Sequence, residues 1–233
     1  MSLVLLGVLC LTNPAGVQGS QQVPQAPITS TTPLKEVRAR AAKGDAAAQS
    51  NLGSRYRTGE GVPQDLKEAV RWYRMAADQG HAVAQNSLGV RYGNGEGVPQ
   101  DFAEALRWYL LAAEQGLPAA QDNLGGMHSK GEGVPQDFKE AVRWFQLAAE
   151  QGFATAQFHL GAMYATGRGV PRDYVEAHKW RILAASRAKG ESQKRYAATR
   201  DAIARTMTEA QLAEAQERAD DWQTAFDERP NRP

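Results

Sequence analysis

Apolar residues recur along the chain at helical spacing, in two alternating kinds of segment. In the first kind, Ala48, Leu52 and Tyr56 stand at i, i+4 and i+8, which places them on one face of a helix. Glycine and proline separate the two kinds, because these residues end helices and form tight turns. The pattern predicts paired amphipathic helices and an all-α fold. The second kind of segment has a wider apolar face of small and large residues: Ala69, Val70, Trp72, Tyr73, Ala76 and Ala77.

The helical pair recurs four times with a period of 36 residues. The loop sequence Gly61-Val62-Pro63 returns once in each later unit. Tryptophan follows the same step: Trp72, Trp108, Trp144 and Trp180. A single helical pair cannot bury its apolar face, so such units stack and each covers the next. We therefore predict an α/α solenoid with four repeats, at residues 48–83, 84–119, 120–155 and 156–191.

Capping helices are predicted at both ends of this solenoid. Residues 34–47 resemble the end of a second helix and are expected to close the first unit. Residues 192–227 contain two more helical patterns, the second beginning after Thr208. In the fourth unit His178 replaces an apolar residue, so this C-terminal segment is expected to pack on that unit's second helix. Residues 228–233 are predicted to form a disordered tail.

The N-terminal residues 1–19 have features of a signal peptide. Residues 3–11 form an apolar run of nine, shorter than the roughly 20 residues that span a bilayer, and small residues follow it. No lysine or arginine precedes the run, so a retained anchor or a cytosolic chain with a misassigned start are the alternatives. Residues 20–33 are rich in Gln, Pro, Ser and Thr and predict a disordered linker. The expected location is periplasmic or secreted, with no stable membrane insertion after cleavage.

Composition excludes several classes of function. Lys and Arg number 27 against 26 Asp and Glu, so the net charge of +1 gives no field that would recruit nucleic acid. Cys10 is the only cysteine and lies in the apolar N-terminal run, which argues against a thiolate metal site or a catalytic cysteine in the repeats. The four histidines occupy different repeat positions without metal-ligand spacing. No metal and no cofactor are predicted.

Two motifs that resemble chemical sites have simpler explanations. The loop Gly59-Glu60-Gly61 precedes a helix but lacks the third glycine of a phosphate-binding loop, so it predicts a turn. Ser186 and Lys189 match the Ser-x-x-Lys element of penicillin-recognising enzymes, but the companion motifs Ser-Asp-Asn and Lys-Thr-Gly do not accompany them. The sequence therefore predicts that the chain is not an enzyme.

Charged residues of the second helices recur with the same period. Asp65 is the predicted N-cap, and Glu68 follows at the spacing of a capping box. The pair returns in all four units, which favours capping over a pair of catalytic carboxylates. Farther along each helix, basic residues form a ladder that is predicted to be solvated, with stems that cover the tryptophans: Arg71, Arg107, Arg143 and Lys179.

The repeated pattern Ala-Gln-x-x-Leu-Gly-x-x-Tyr-x-x-Gly-x-Gly-Val-Pro-x-Asp-x-x-x-Ala-x-x-Trp-x-x-x-Ala-Ala, at residues 84–113, closely resembles the Sel1-like repeat family. That family consists of α/α solenoids related to tetratricopeptide repeats. The period of 36 and the Gly-Val-Pro-x-Asp loop favour the Sel1-like form over the tetratricopeptide form. The resemblance implies protein–protein interaction, as in adaptors, regulators of envelope signalling, and factors in assembly or host contact.

Variable positions on the first helices are the predicted partner-binding residues, because these helices line the concave surface of such a solenoid. Arg55, Arg91 and Lys130 are expected to be exposed there beside Met127 and Met163, which suits a peptide with acidic and apolar side chains. The predicted stripe takes one position in each helical turn: Asn51, Arg55, Thr58, Ser87, Arg91, Asn94, Asn123, Met127, Lys130, His159, Met163 and Thr166.

The sequence thus predicts a non-enzymatic scaffold or adaptor of the bacterial envelope that binds another protein or peptide. Two alternatives remain open at this point. One is a small-ligand binder or hydrolase that acts on cell-wall-type substrates through a pocket in the groove. The other is a structural component that assembles with copies of itself.

Overall fold

The computed structural model describes residues 26–230, and this part of the chain is all-helical. The predicted signal peptide lies outside the described residues, as do residues 20–25 and 231–233. None of the helices in the described part is long and apolar enough to cross a membrane. Eleven helices follow one another in residues 26–230: α1 Leu34–Ala42, α2 Ala46–Thr58, α3 Leu66–Asp78, α4 Ala82–Asn94, α5 Phe102–Glu114, α6 Pro118–Lys130, α7 Phe138–Glu150, α8 Ala154–Thr166, α9 Tyr174–Arg187, α10 Gly190–Ala204 and α11 Glu209–Asp227.

The helices pack in the order of a solenoid, which confirms the predicted fold class. Within each unit the two helices contact each other most extensively, as α2 with α3 and α4 with α5. The second helix of each unit also packs on the first helix of the next, as α3 on α4. The core is therefore a chain of clusters, each shared between neighbours. At the two ends, α1 packs on α2, and both α10 and α11 pack on α9.

An aspartate begins every second helix, as the sequence predicts. The Asp65 carboxylate accepts hydrogen bonds from the backbone N–H groups of Lys67 and Glu68 at 2.9 and 3.1 Å. The capping box itself is not closed at this site, because the Asp65 backbone N–H already donates to the Tyr56 carbonyl at 2.9 Å. Glu68 instead pairs with Arg71 at 3.2 Å. The same arrangement recurs at Asp101, Asp137 and Asp173.

The basic ladder lies over the tryptophans, in agreement with the prediction. The guanidinium carbon of Arg107 is 3.9 Å from the centroid of the Trp108 ring, and Arg107 also pairs with Glu104 at 3.0 Å. Arg143 lies 4.5 Å from the Trp144 ring in the next unit. Each cation thus covers apolar surface while it remains paired and partly solvated.

A ladder of buried glutamines, which the sequence reasoning missed, joins the units. Gln85 accepts a hydrogen bond from Gln115 at 2.7 Å and donates to the Ala77 carbonyl at 3.2 Å, so it links α4 to the helices on both sides. Gln49 makes the equivalent bonds with Gln79 and Ala41 at 2.7 and 3.2 Å. These bonds compensate the burial of polar groups between units.

The C-terminal helices cover the last unit, as predicted. On α11, Trp222 meets Trp180 edge to face, with ring centroids 5.9 Å apart. On α10, Tyr196 stacks on Phe158 at 4.3 Å. Arg229, which the sequence places in a disordered tail, donates to the Glu150 carbonyl at 2.8 Å. The C-terminal helices α10 and α11 therefore form a cap over the apolar surface at the end of the solenoid.

Burial of His178 under α10 makes stability depend on pH. The residue is 7% exposed and stands where the preceding units have Val70, Leu106 and Val142. Burial lowers its pKa below the ordinary value of 6.5, and the positive charge of Arg200 acts in the same direction. The folded chain therefore binds fewer protons than the unfolded chain below about pH 6.5, and the free energy of unfolding decreases as pH falls from there toward the lowered pKa.

We expect His178→Val to reduce this pH dependence, because valine restores the apolar residue of the other units and cannot be protonated. The measurement is urea unfolding of parent and variant at pH about 7.5 and about 5.5. Burial also lowers the pKa of His81, so some dependence should persist in the variant. An equal loss of stability in both proteins at the lower pH would contradict the role assigned to His178.

Candidate functional site

A pocket of about 560 Å³ opens between the first helices α4, α6 and α8. Five residues of the predicted stripe do not line it: Asn51, Arg55, Thr58, Ser87 and Arg91. The other seven residues of the stripe do: Asn94, Asn123, Met127, Lys130, His159, Met163 and Thr166. The structure thus gathers the later part of the stripe, in the second to fourth units, into one concave site.

Aromatic rings from the second helices form part of the pocket wall. Tyr109 of α5 and Phe145 of α7 both line it. Phe145 can reach past α6 because Gly125 has no side chain, and a Cβ there would lie 2.6 Å from the ring. Burial raises the pKa of Tyr109 to about 12, so its hydroxyl remains protonated at neutral pH. The buried side chains of Met127 and Met163 line the same part of the pocket and add apolar atoms to its wall.

Polar side chains in the pocket pair across neighbouring units. His159 Nδ1 lies 2.8 Å from Asp122 Oδ1, and Asn123 Nδ2 donates to Asn86 Oδ1 at 2.9 Å. In both pairs the residues are 37 positions apart, one more than the repeat period. The pairs hold their side chains in fixed orientations along the groove.

The rim of the pocket carries charges of both signs. Lys130 pairs with Glu132 at 3.5 Å, and the guanidinium of Arg168 lies 5.4 Å from the Phe138 ring. Arg91 was expected to be exposed, but it is 9% exposed and paired with Glu96, outside the pocket. The groove is therefore not the basic surface that the sequence predicts, because its cations already have partners within the fold.

Arg55 is likewise buried, at 7% exposure, by a segment of the same chain. Residues 26–33, which the sequence places in a disordered linker, lie against α1 and α2. Arg55 Nη2 donates to the carbonyls of Ser30 and Thr32 at 3.1 and 2.7 Å. Asn51 Nδ2 donates to the Thr29 carbonyl at 3.3 Å. We call residues 26–33 the strap; it shows that stripe residues of the first unit bind a peptide backbone.

Ile28 and Arg40 complete the binding of the strap. Ile28 packs against the core cluster shared by α1 and α2, and Arg40 Nη1 donates to the Ala26 carbonyl at 2.6 Å. The strap therefore stays in place because side-chain donors satisfy its carbonyls and one apolar residue is packed.

Several pocket residues were missed by the sequence reasoning. Asp122 is the most informative, because its equivalents in the other units are Ser50, Asn86 and Phe158, none of them charged. The stripe was chosen from one residue per turn within single helices. Looking for polar residues one period plus one apart would have found the pair of Asp122 and His159.

The residues of the other candidate chemical motifs lie outside the pocket. Ser186 lies exposed on α9, outside the pocket lining, and its hydroxyl donates to the Leu183 carbonyl at 2.9 Å. His81 accepts from the Ala84 N–H at 3.2 Å as the N-cap of α4. In residues 26–230 no group of three or more His, Cys, Asp or Glu side chains is placed to hold a metal ion.

Comparison with known proteins identifies the repeat. The Sel1 repeat model matches residues 46–81, 82–117, 118–153 and 154–188, beginning two residues before the predicted units. The chain belongs to the Sel1 repeat family. Comparison with curated proteins finds no match.

Two solved structures resemble this Sel1 repeat chain. One is a protective antigen of uropathogenic Escherichia coli with an SLR fold, 48% identical, with a TM-score of 0.64 over 69% of this chain. The other is a Sel1 repeat protein from Oxalobacter formigenes, 36% identical, with a TM-score of 0.60 over 69% of this chain. The chain covers 34% of the antigen and 66% of the Oxalobacter protein, so it matches only part of each.

Proposed function

We propose that this Sel1 repeat chain is a non-enzymatic scaffold that binds a partner peptide or protein through the concave pocket of its second to fourth units. Sel1 repeats are in general protein-interaction scaffolds, and the solenoid presents a continuous surface of first helices for such contacts. The observation that carries the proposal is the strap, a peptide segment already bound on the first unit of the same surface.

The repeat relates the strap to the pocket. Asn51 and Arg55 hold the strap, and two units farther the same positions are occupied by Asn123 and Met127. An amide donor that can bind a backbone carbonyl is thus retained, while an apolar, flexible side chain replaces the arginine. We infer that a partner binds there in an extended conformation, with the methylene or other apolar atoms of one side chain against the methionines.

An envelope location is part of the proposal. Its support is the apolar segment of residues 3–11, followed by small residues, in the sequence. The Escherichia coli relative is described as a protective antigen, which is compatible with exposure of that protein outside the cell. Cell fractionation of a C-terminally tagged chain tests this location directly.

Filling the pocket should abolish partner capture. Gly126 lines the pocket on α6, and a Cβ added there meets no atom within 4 Å. A side chain can therefore begin there without a clash at Cβ, and Gly126→Trp is expected to place its ring in the groove. We expect the variant to retain less than about a tenth of the captured partner, the loss of at least 1.4 kcal/mol of binding free energy. The measurement is affinity purification of the tagged chain from its native envelope, quantified by mass spectrometry.

The matched control is Gln146→Trp, which puts the same side chain on an exposed position of α7 in the same unit. A partner that the control keeps and Gly126→Trp loses supports the pocket. A partner kept by both variants, or lost only with Gln146→Trp, would place binding elsewhere. If the parent chain captures no protein, the scaffold proposal fails.

A small-ligand site is the second candidate, favoured by the size of the pocket. A volume of about 560 Å³ lies within the range of small-molecule sites, and the pair of Asp122 and His159 supplies convergent polar groups. A low-molecular-weight compound that copurifies with the parent and is lost with Gly126→Trp would support this candidate over the scaffold.

A further inference from the structure

One carboxylate is unusual in this molecule. Asp122 is 8% exposed, and among the residues that the structure describes it is the only buried Asp or Glu. The helical repeat does not require it, because the equivalent positions hold a serine, an asparagine and a phenylalanine. A buried carboxylate is unfavourable unless a cation or several hydrogen bonds compensate its desolvation.

The protein supplies only part of that compensation. Asp122 Oδ1 is 2.8 Å from His159 Nδ1, whereas Asp122 Oδ2 accepts no hydrogen bond from any residue within 26–230 and remains accessible from the pocket. No lysine or arginine of that range lies within 4.0 Å of the carboxylate. Because Asp122 lines the pocket, the missing positive charge can come from whatever occupies the pocket.

The walls beside Asp122 suit the stem and head of a basic side chain. The side chains of Tyr109, Phe145, Met127 and Met163 line this part of the pocket, and each is at most 7% exposed. The small surfaces that they present are aromatic or apolar, which suits a cation and its methylene stem. The molecule already uses this chemistry on its outer surface, where the guanidinium of Arg107 lies 3.9 Å from the centroid of the Trp108 ring.

Asp122 is the only buried charged side chain that lines the pocket, and the other charged lining residues are exposed or half-buried. Lys130 and Glu132 form an ion pair at the rim and cancel each other to first order. Arg168 is exposed and lies over the Phe138 ring. A neutral His159 with its proton on Nδ1 donates to Asp122 and holds the carboxylate in position without cancelling its charge.

We propose that the pocket recognises a lysine or arginine side chain of the bound partner, with its cationic head against Asp122 and its stem between the methionines and the aromatic rings. This rests on the proposed function, because the occupant is a side chain of the partner. The sequence predicts a partner with acidic side chains, whereas this proposal expects a basic side chain at this one position.

Capped amino acids test the selectivity without knowledge of the partner. The probes are the N-acetyl amides of lysine, arginine, norleucine and glutamate, titrated into the full ¹⁵N-labelled chain while amide shifts of the pocket residues are followed. We expect the lysine and arginine probes to bind at least about tenfold more tightly than the norleucine and glutamate probes.

Asp122→Asn keeps the shape of the side chain and an oxygen that can accept from His159, and it should remove most of this preference. Glu114→Gln removes one negative charge from an exposed position of α5 outside the pocket and should change the preference by less than about threefold. Thermal unfolding of both variants checks that the fold is retained.

The inference would be overturned by tighter binding of the glutamate probe, by an unchanged preference in Asp122→Asn, or by no binding of either basic probe to the parent chain. An equal loss in Glu114→Gln would assign the preference to the overall charge of the molecule and would also overturn the inference. Failure of this inference can be distinguished from failure of the proposed function. A native partner that Asp122→Asn keeps but Gly126→Trp loses would retain the scaffold and reject the basic side chain.

Discussion

Replacing Trp108 by alanine is expected to lower the free energy of unfolding by about 3–5 kcal/mol, the usual cost of a large-to-small change in a core. Trp108 on α5 is 3% exposed and belongs to the apolar cluster that also contains residues of α3 and α4. Its ring therefore fills the junction between the first two units. Loss of the ring removes apolar burial, leaves a cavity and weakens the contact between neighbouring units.

Urea unfolding followed by far-UV circular dichroism measures this effect. The matched control is Trp144→Ala in the next unit. Trp144 is only partly buried against its cluster, so its replacement should lower the free energy of unfolding by less. In a solenoid, weakening one junction should also reduce cooperativity, so the Trp108→Ala transition is expected to broaden. An unchanged midpoint for Trp108→Ala would contradict the assignment of this residue to the core.

The fold could be predicted from the sequence because its determinants are local and repeated. Asp65 and Pro63 mark the start of a second helix, and the glycine after each first helix marks its end. Each of these residues recurs with the period of the repeat, so where the helix boundaries of one unit are ambiguous, the other three units define them. The repeat boundaries differ from the family model by two residues, since periodicity fixes the length of a unit but not its starting point.

The strap could not be predicted from composition. Residues 26–33 contain Pro, Ser and Thr and only one large apolar residue, Ile28, which is typical of a linker. What holds them is a set of side-chain donors far along the chain, chiefly Asn51 and Arg55. A local pattern contains no information about such donors, and the same two residues were therefore assigned to a free surface.

The candidate site was predicted only in part, for a geometric reason. Spacing within one helix selects residues that share a face, and this placed Met127 and Met163 correctly on the groove. The pairs across units depend instead on how successive helices are offset, which brings Asp122 beside His159. The sequence also leaves open which cations have partners in the fold, so it overestimated the positive charge of the groove.

Replacing Gly97 by alanine is expected to destabilise the chain by about 3–5 kcal/mol, because two penalties coincide there. Gly97 has φ +78°, a left-handed conformation that alanine adopts at a cost of roughly 1–2 kcal/mol. In addition, an alanine Cβ would lie 2.6 Å from the backbone carbonyl carbon of Leu66, at the start of α3 in the preceding unit. Backbone cannot rotate away as a side chain can, so the two units would have to separate.

Gly61 is the matched control for this close approach, because it occupies the same loop position in the first unit with φ +72°. A Cβ on Gly61 would meet side-chain atoms and no backbone, with Leu34 at 3.6 Å and Arg55 Nη1 at 4.0 Å. Gly61→Ala should therefore show the backbone penalty alone, and the difference of about 2 kcal/mol between the two variants measures the contact between units. Equal destabilisation in urea titrations would mean that the loop of one unit does not rest on the helix of the unit before it. A larger loss for Gly97→Ala would show that glycine at this position sets the distance between successive units, and hence the spacing of the first helices that line the groove.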